Sequence, residues 1–260
     1  MNPRRPHGTI TRGTTNPNRL RLLDRWWTPR AAAVLRHVRN PLAVDLGYGA
    51  TPVTTIEWRR RLALIHNDVT VVGLEIDPAR VALARASAAP GLEFHIGGFE
   101  LAGFHPHLVR VMNVLRQYDE AAVPDAWRLM RDTLAPGGSV AEGTCDELGR
   151  HASWVLLDRV GPVSLTLAAD LDHLDTPDTL AERLPKALIH RNVPGEPVHA
   201  LIAELSGAWR RFATSGVYGA RDRWRRSVDT VAAAGWPVAE PPARRRDGTL
   251  TVAWPSVAPR

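Results

Sequence analysis

The stretch Ala43-Val44-Asp45-Leu46-Gly47-Tyr48-Gly49-Ala50-Thr51 decides how this chain is read. Residues 42–46 form a short apolar run of the kind buried in a sheet, with an acid near its end and a Gly-x-Gly directly after it. Glycines at such a turn permit positive φ and a close approach of backbone to ligand. A helix is expected over 52–65, with Thr51 as its N-cap and Pro52 in the first turn, where no backbone donor is needed. The third glycine of a dinucleotide fingerprint would fall on Pro52, which disfavours hydride transfer, and no G-K-[ST] follows to make a P-loop.

Outward from this block the chain alternates. Further strands are expected at 69–74, 91–96, 108–112 and 139–144, and helices at 20–38 (restarting at Thr28-Pro29), 78–88 and 121–134. Short apolar strands separated by helices imply a parallel sheet covered on both faces. After Thr144 the rhythm changes. Residues 153–157 and 163–169 flank Gly161-Pro162 as an antiparallel pair, and helical pieces follow at 177–190, 197–214 and 220–234. Pro185 should kink the first of these, and 249–254 reads as a last strand.

Charge is unevenly placed. The chain of 260 residues has 33 Lys+Arg against 27 Asp+Glu, and Lys186 is its only lysine, a skew of the kind GC-rich codons produce. Residues 1–39 hold nine arginines, Arg4 and Arg5 among them, and one acid, Asp24; the remainder nets −2. A basic arm therefore precedes a nearly neutral body, and the overall charge is no nucleic-acid signature by itself. No apolar run reaches the ~18 residues of a membrane helix, and no apolar segment follows Arg4 and Arg5 as a secretory signal requires. The lone Cys145 allows neither an intrachain disulfide nor a cysteine metal site. A cytoplasmic protein is expected, with no metal; His105-x-His107 reads as exposed loop.

The opening block resembles motif I of class I S-adenosylmethionine-dependent methyltransferases, D-x-G-x-G-x-G, with Thr51 at the third glycine. The resemblance continues in order along residues 40–145. Val71-Val72-Gly73-Leu74-Glu75-Ile76-Asp77-Pro78 is similar to the family's second strand, whose terminal acid, here Glu75, offers two acceptor oxygens to the ribose hydroxyls. Glu93-Phe94-His95-Ile96-Gly97-Gly98-Phe99 resembles the third strand and its loop, and Ala135-Pro136-Gly137-Gly138 the turn into the fifth. Many relatives place an acid after the third strand for the adenine amino group, and Gly98 stands there instead. Phe99 could pack on adenine, with Glu100 or the backbone supplying the acceptor.

The resemblance implies an α/β fold: a Rossmann-like, doubly wound, mostly parallel sheet with an N-terminal arm and a helical C-terminal elaboration. Residues 1–39 would be the arm and first helix, 40–172 the S-adenosylmethionine-binding core, and 173–260 the elaboration, a cap or interaction surface whose final strand returns to the sheet. The implied cofactor is S-adenosylmethionine, held by Asp45, Gly47, Gly49, Thr51, Glu75, Ile76, Gly98, Phe99 and Asn113. Methyl transfer from a sulfonium is an in-line displacement, and a base is needed only if the nucleophile arrives protonated. Among groups expected beyond the fourth and fifth strands, Asp146 and Tyr118 are the candidate bases, while Glu142 is expected to face solvent. The implied activity is methyl transfer to an unidentified small molecule or RNA. The alternative is a non-catalytic protein of the same fold that contacts RNA or a protein through the arm. Nucleic acid is a possible partner, not a required one; no membrane partner is expected, and oligomeric state is not readable. Asn113-Val114-Leu115-Arg116 is not the N-P-P-[YF] tetrad of amino-methylating nucleic-acid enzymes, and the G-G-G-D-G of aminopropyl transfer is absent.

Overall fold

The computed structural model describes residues 6–214 and 219–260. Eight strands among the described residues form one sheet in the order β3-β2-β1-β4-β5-β6-β7-β8. The first five, β1 (Leu42–Leu46), β2 (Thr70–Glu75), β3 (Leu92–Ile96), β4 (Leu108–Met112) and β5 (Ser139–Cys145), are parallel. β6 (His151–Leu157), β7 (Pro162–Ala169) and β8 (Thr249–Ala253) extend the sheet antiparallel. Val44 of β1 pairs with Val72 and Val109, all buried, as a sheet covered on both faces demands. The chain turns back across the sheet beside β1, with β2 on one side and β4 on the other. Such a switch point opens a crevice beyond the carboxyl ends of the strands.

One face is covered by α1 (Arg21–Leu35) and α2 (Val53–Ala63), which bury Trp26, Trp27, Trp58 and Leu62 against Ala43, Val71 and Ala141. Trp27 stacks on Trp58 with ring centroids 5.7 Å apart. α1 passes through Pro29 without the expected restart, because Trp26 and Trp27 before the proline and Ala31, Ala32 and Leu35 after it are buried together. α2 begins one residue later than expected, with Pro52 at the N-cap position and Thr51 exposed ahead of it. α3 (Pro78–Ala84) is capped by Asp77, whose carboxylate accepts the Ala79 N–H at 2.9 Å.

The other face carries α4 (Val123–Asp132), a short α5 (Lys186–Ile189), α6 (Pro197–Arg211) and α7 (Ala220–Ala233). Instead of a kinked helix, 177–190 is a 3₁₀ segment, Pro177–Arg183, separated from α5 by extended Leu184, since the residue before a proline avoids the helical region. Leu201, Trp209, Trp224 and Val231 share one apolar cluster with Val140, Val155, Leu165 and Val252. The C-terminal helices thus cover the β5–β8 side of the sheet with a continuous core. Glu142, expected in solvent, is fully buried on this face. Among the described residues no helix is long and apolar enough to cross a membrane.

Candidate functional site

The turn after β1 has the conformation its glycines permit: Gly47 has φ +72° and Gly49 φ +90°. The Gly47 N–H donates to the Leu74 carbonyl at 2.7 Å and the Gly49 N–H to Glu75 Oε2 at 3.1 Å. A side chain on Gly47 would run into Val114 as well as strain the backbone. Against this turn lies a cavity of 580 Å³, a volume typical of small-molecule sites. Its floor is the Leu46–Gly49 turn and its side the ends of β4 and β5, with Met112, Asn113, Cys145 and Glu147. The arm, from Thr11 to Thr15 and Arg19, forms the roof, and Arg116 and Arg183 close the wall.

Asp45 borders this cavity, but its carboxylate is held from behind. Arg110 of β4 grips it with two bonds, Nε to Oδ1 at 2.9 Å and Nη2 to Oδ2 at 2.7 Å, and the Thr55 hydroxyl donates at 2.8 Å. The third guanidinium nitrogen of Arg110 binds Asp24 of α1 at 2.6 Å, and Arg61 of α2 takes that acid's other oxygen at 2.6 Å. Burial alone would lower the Arg110 pKa; Asp24 and Asp45 outweigh it and raise it further, so this cation stays charged. Asp45 therefore anchors the base of the glycine turn to both covering helices. Glu75, also buried, accepts from Gly49 through Oε2 and from Ile76 through Oε1 at 2.9 Å, with Arg80 at 3.6 Å.

Four of the sequence-derived positions have other partners than the sequence suggests. Thr51 is exposed and lines no described cavity; Thr54, one helical turn into α2, takes the wall position instead. Asn113, at φ +63°, lines the cavity but uses its amide to clamp Cys145: its Oδ1 accepts the Cys145 N–H at 3.0 Å and its Nδ2 lies 3.2 Å from Sγ. Burial pushes the Cys145 thiol up, against the pull of Arg19. Asp146 is turned to the backbone beyond β5. Its carboxylate accepts the N–H groups of Leu148, Arg150 and His151 at 3.0, 2.9 and 2.8 Å, capping the β5–β6 hairpin. Tyr118 sits at the opposite end of the crevice, its hydroxyl accepting the Thr9 N–H at 2.6 Å. There Ile76, Gly98, Phe99 and Tyr118 do converge, around a gap of only 20 Å³.

The arm is the feature sequence reasoning placed least well. Arg4 and Arg5 lie outside the described residues, but from Pro6 onward the chain is laid across the crevice. The Gly13 carbonyl accepts the Ala50 N–H at 2.8 Å, the Arg12 N–H reaches Gln117 at 3.1 Å, and Arg80 holds the Thr11 carbonyl at 2.8 Å. Arg19 is buried and donates to the carbonyls of Thr14 and Asp146; Arg21 pairs with Asp170 at 2.7 Å. These arginines fasten the arm to the body. Arg110 was missed altogether, although one charged residue inside Leu108-Val109-Arg110-Val111-Met112 signals a buried partner acid. Among the described residues no group of three or more His, Cys, Asp or Glu could hold a metal ion.

No protein-family model and no curated protein matches this chain. Solved structures do. LepI in complex with SAM is similar at 13% identity over 45% of this chain and 30% of that one, with a TM-score of 0.38. The CcbJ methyltransferase from Streptomyces caelestis is similar at 18% identity over 60% of this chain and 66% of that one, at 0.34. Human N-acetylserotonin methyltransferase in complex with SAM is similar at 20% identity over 46% and 35%, at 0.33. The chain thus spans between 30% and 66% of the length of these proteins. The order of its parallel strands, β3-β2-β1-β4-β5, is by itself that of a Rossmann-like α/β fold.

Proposed function

We propose that this chain binds S-adenosylmethionine against the Gly47–Gly49 turn and transfers its methyl group to a small molecule held under the arm. The 580 Å³ cavity between the glycine turn and the ends of β4 and β5 carries this reading. The residues present fit the ribosyl-methionine part of the cofactor: Gly47 and Gly49 keep the turn free of side chains, and the buried Glu75 carboxylate, with two oxygens, keeps acceptor capacity beside them. When bound, the cofactor supplies an electrophilic methyl group on a sulfonium. The chain's part is to hold the acceptor in line and exclude water, and the arm roofs the cavity for that purpose.

The wall favours an anionic acceptor. Arg12, Arg116 and Arg183 line it, and the Arg116 pKa is lowered by burial and then by repulsion from Arg183. Two guanidiniums facing one space are relieved by an anion between them. Glu147, not Asp146, is the wall carboxylate placed to take a proton from an acceptor that arrives protonated. The alternative is a non-catalytic protein that contacts RNA or a protein through its arm; its RNA form loses support because Arg19 and Arg21 are engaged within the fold.

Titration calorimetry with S-adenosylmethionine and S-adenosylhomocysteine tests the cofactor: binding is expected, and Gly47→Arg should abolish it. Wild-type chain that binds neither compound removes the assignment. Radiolabelled methyl transfer into fractionated small molecules, RNA and protein tests the acceptor, and label found in RNA alone would overturn the small-molecule reading.

A further inference from the structure

The two ends of the crevice differ in what fills them. Where Glu75, Ile76, Gly98 and Phe99 converge, the remaining 20 Å³ is room for about one water molecule. The occupant is the arm. The His7 N–H donates to Glu100 Oε2 at 2.8 Å, and the His7 carbonyl accepts the Phe99 N–H at 3.0 Å. Glu100 is oriented for this by its other oxygen, which accepts the Gly98 N–H at 2.8 Å. Gly98 is required by the same contact, since a Cβ there would collide with the His7 backbone. The next residues continue the plug: the Thr9 N–H binds Tyr118, and Gly8 lies where a Cβ would press on the Tyr118 hydroxyl and Ile76.

One donor beside one acceptor, read by a carboxylate and a backbone N–H, is a specific pattern. The Watson–Crick edge of a 6-aminopurine presents the same pair, its amino group beside ring N1. A 6-oxopurine presents the reverse, an acceptor beside a donor, and would set its oxygen against the Glu100 carboxylate. Resting on the cofactor reading above, in which the adenine edge lies against Glu100 and the Phe99 N–H, we infer that the backbone of His7 occupies that place as a built-in competitor. The Glu100 carboxylate then does the work of the acid that Gly98 displaced, from two residues further along. Arm and cofactor exclude one another at this end, so the cofactor binds only when residues 7–9 leave.

Hydrogen exchange on the full-length chain separates a competitor from a lid. With saturating S-adenosylhomocysteine, amides of residues 7–9 should exchange at least about tenfold faster, as 1.4 kcal/mol of lost protection gives, while Phe99 stays protected. Slower exchange in the arm would mean it closes over the ligand, and would overturn the proposal while leaving the cofactor reading intact. His7→Pro removes the donor to Glu100 without touching the reader, and should tighten S-adenosylhomocysteine binding several-fold; unchanged or weaker binding counts against competition. S-inosylhomocysteine should bind at least tenfold more weakly than S-adenosylhomocysteine, and equal binding would overturn the edge reader. If neither wild-type nor His7→Pro chain binds S-adenosylhomocysteine, the cofactor reading falls and this inference with it.

Discussion

Two buried acids on neighbouring parts of the sheet are treated in opposite ways. Asp45, on the face covered by α1 and α2, meets a bidentate guanidinium and a hydroxyl, and the same guanidinium satisfies Asp24. Glu142, on the face covered by α4 and the C-terminal helices, receives one N–H, from Trp127 Nε1 at 3.2 Å, and its Oε1 has no partner. Desolvation pushes the Glu142 pKa up to about 8, with the Trp127 bond pulling the other way. One face pairs its acids with a buried cation, although burial still pushes the Asp24 carboxyl above its ordinary pKa; the other leaves its acid with a single donor. Pairing serves the face that must fix the glycine turn, because the Arg110 and Thr55 bonds to Asp45 are what tie that turn to α1 and α2.

The largest effect comes from breaking the paired face. Arg110→Met should cost about 3–5 kcal/mol, since it strands two carboxylates in the core. Chemical denaturation at pH 7 would show it, and a loss below about 1 kcal/mol would mean that the pairing is not what holds the helices. Combining Arg110→Met with Asp24→Asn and Asp45→Asn should recover part of the loss, because neutral amides are far less costly to bury unpaired than ions.

The unpaired face makes a pH-dependent prediction. An unfolded glutamate releases its proton near the ordinary 4.5, whereas folded Glu142 holds it to about 8. Between these values the native state carries the extra proton, so this residue's contribution to stability falls as pH rises through the window and stays low above it. Glu142→Gln cannot titrate and keeps an acceptor for Trp127. Whatever its offset from wild type at pH 5, the difference should move in the variant's favour by on the order of 4 kcal/mol on going to pH 9. Parallel melting curves for the two proteins would show that Glu142 is ionised, or wet, in the fold.

These two faces also divide what the sequence makes legible from what it hides. The parallel strands are readable because each is a short apolar run that cannot survive outside a covered sheet, and the Gly47–Gly49 turn because positive φ restricts residue type. The same covering rule should have buried Glu142; alternation with Val140 suggested a solvent face that a doubly covered sheet does not have. The surroundings of Asp146 were hidden for a different reason. An acid one residue past a strand fits a base and a hairpin cap equally well, and only the fold of 148–151 decides between them. The arm was least legible of all. It docks through the main-chain groups of His7, Thr9 and Gly13, which every residue but proline carries, so side-chain pattern gives no sign of where it lies.

The smallest predicted effect concerns how the sparsely paired face holds the cavity wall. On this face the hydroxyls of Thr144 (β5) and Ser153 (β6) both donate to one acceptor, the carbonyl of Arg183. That carbonyl fixes the segment that carries the Arg183 guanidinium to the cavity. Because the two donors are redundant, Ser153→Ala alone should cost no more than about 1 kcal/mol, and Thr144→Val alone about the same. The double variant should cost more than the two together, since only then is the carbonyl left without either hydroxyl. Denaturant midpoints for all four proteins would measure the cycle. Strict additivity would mean that the two hydroxyls act on separate acceptors and that the Arg183 wall is held by its apolar neighbours Leu180 and Leu184 alone.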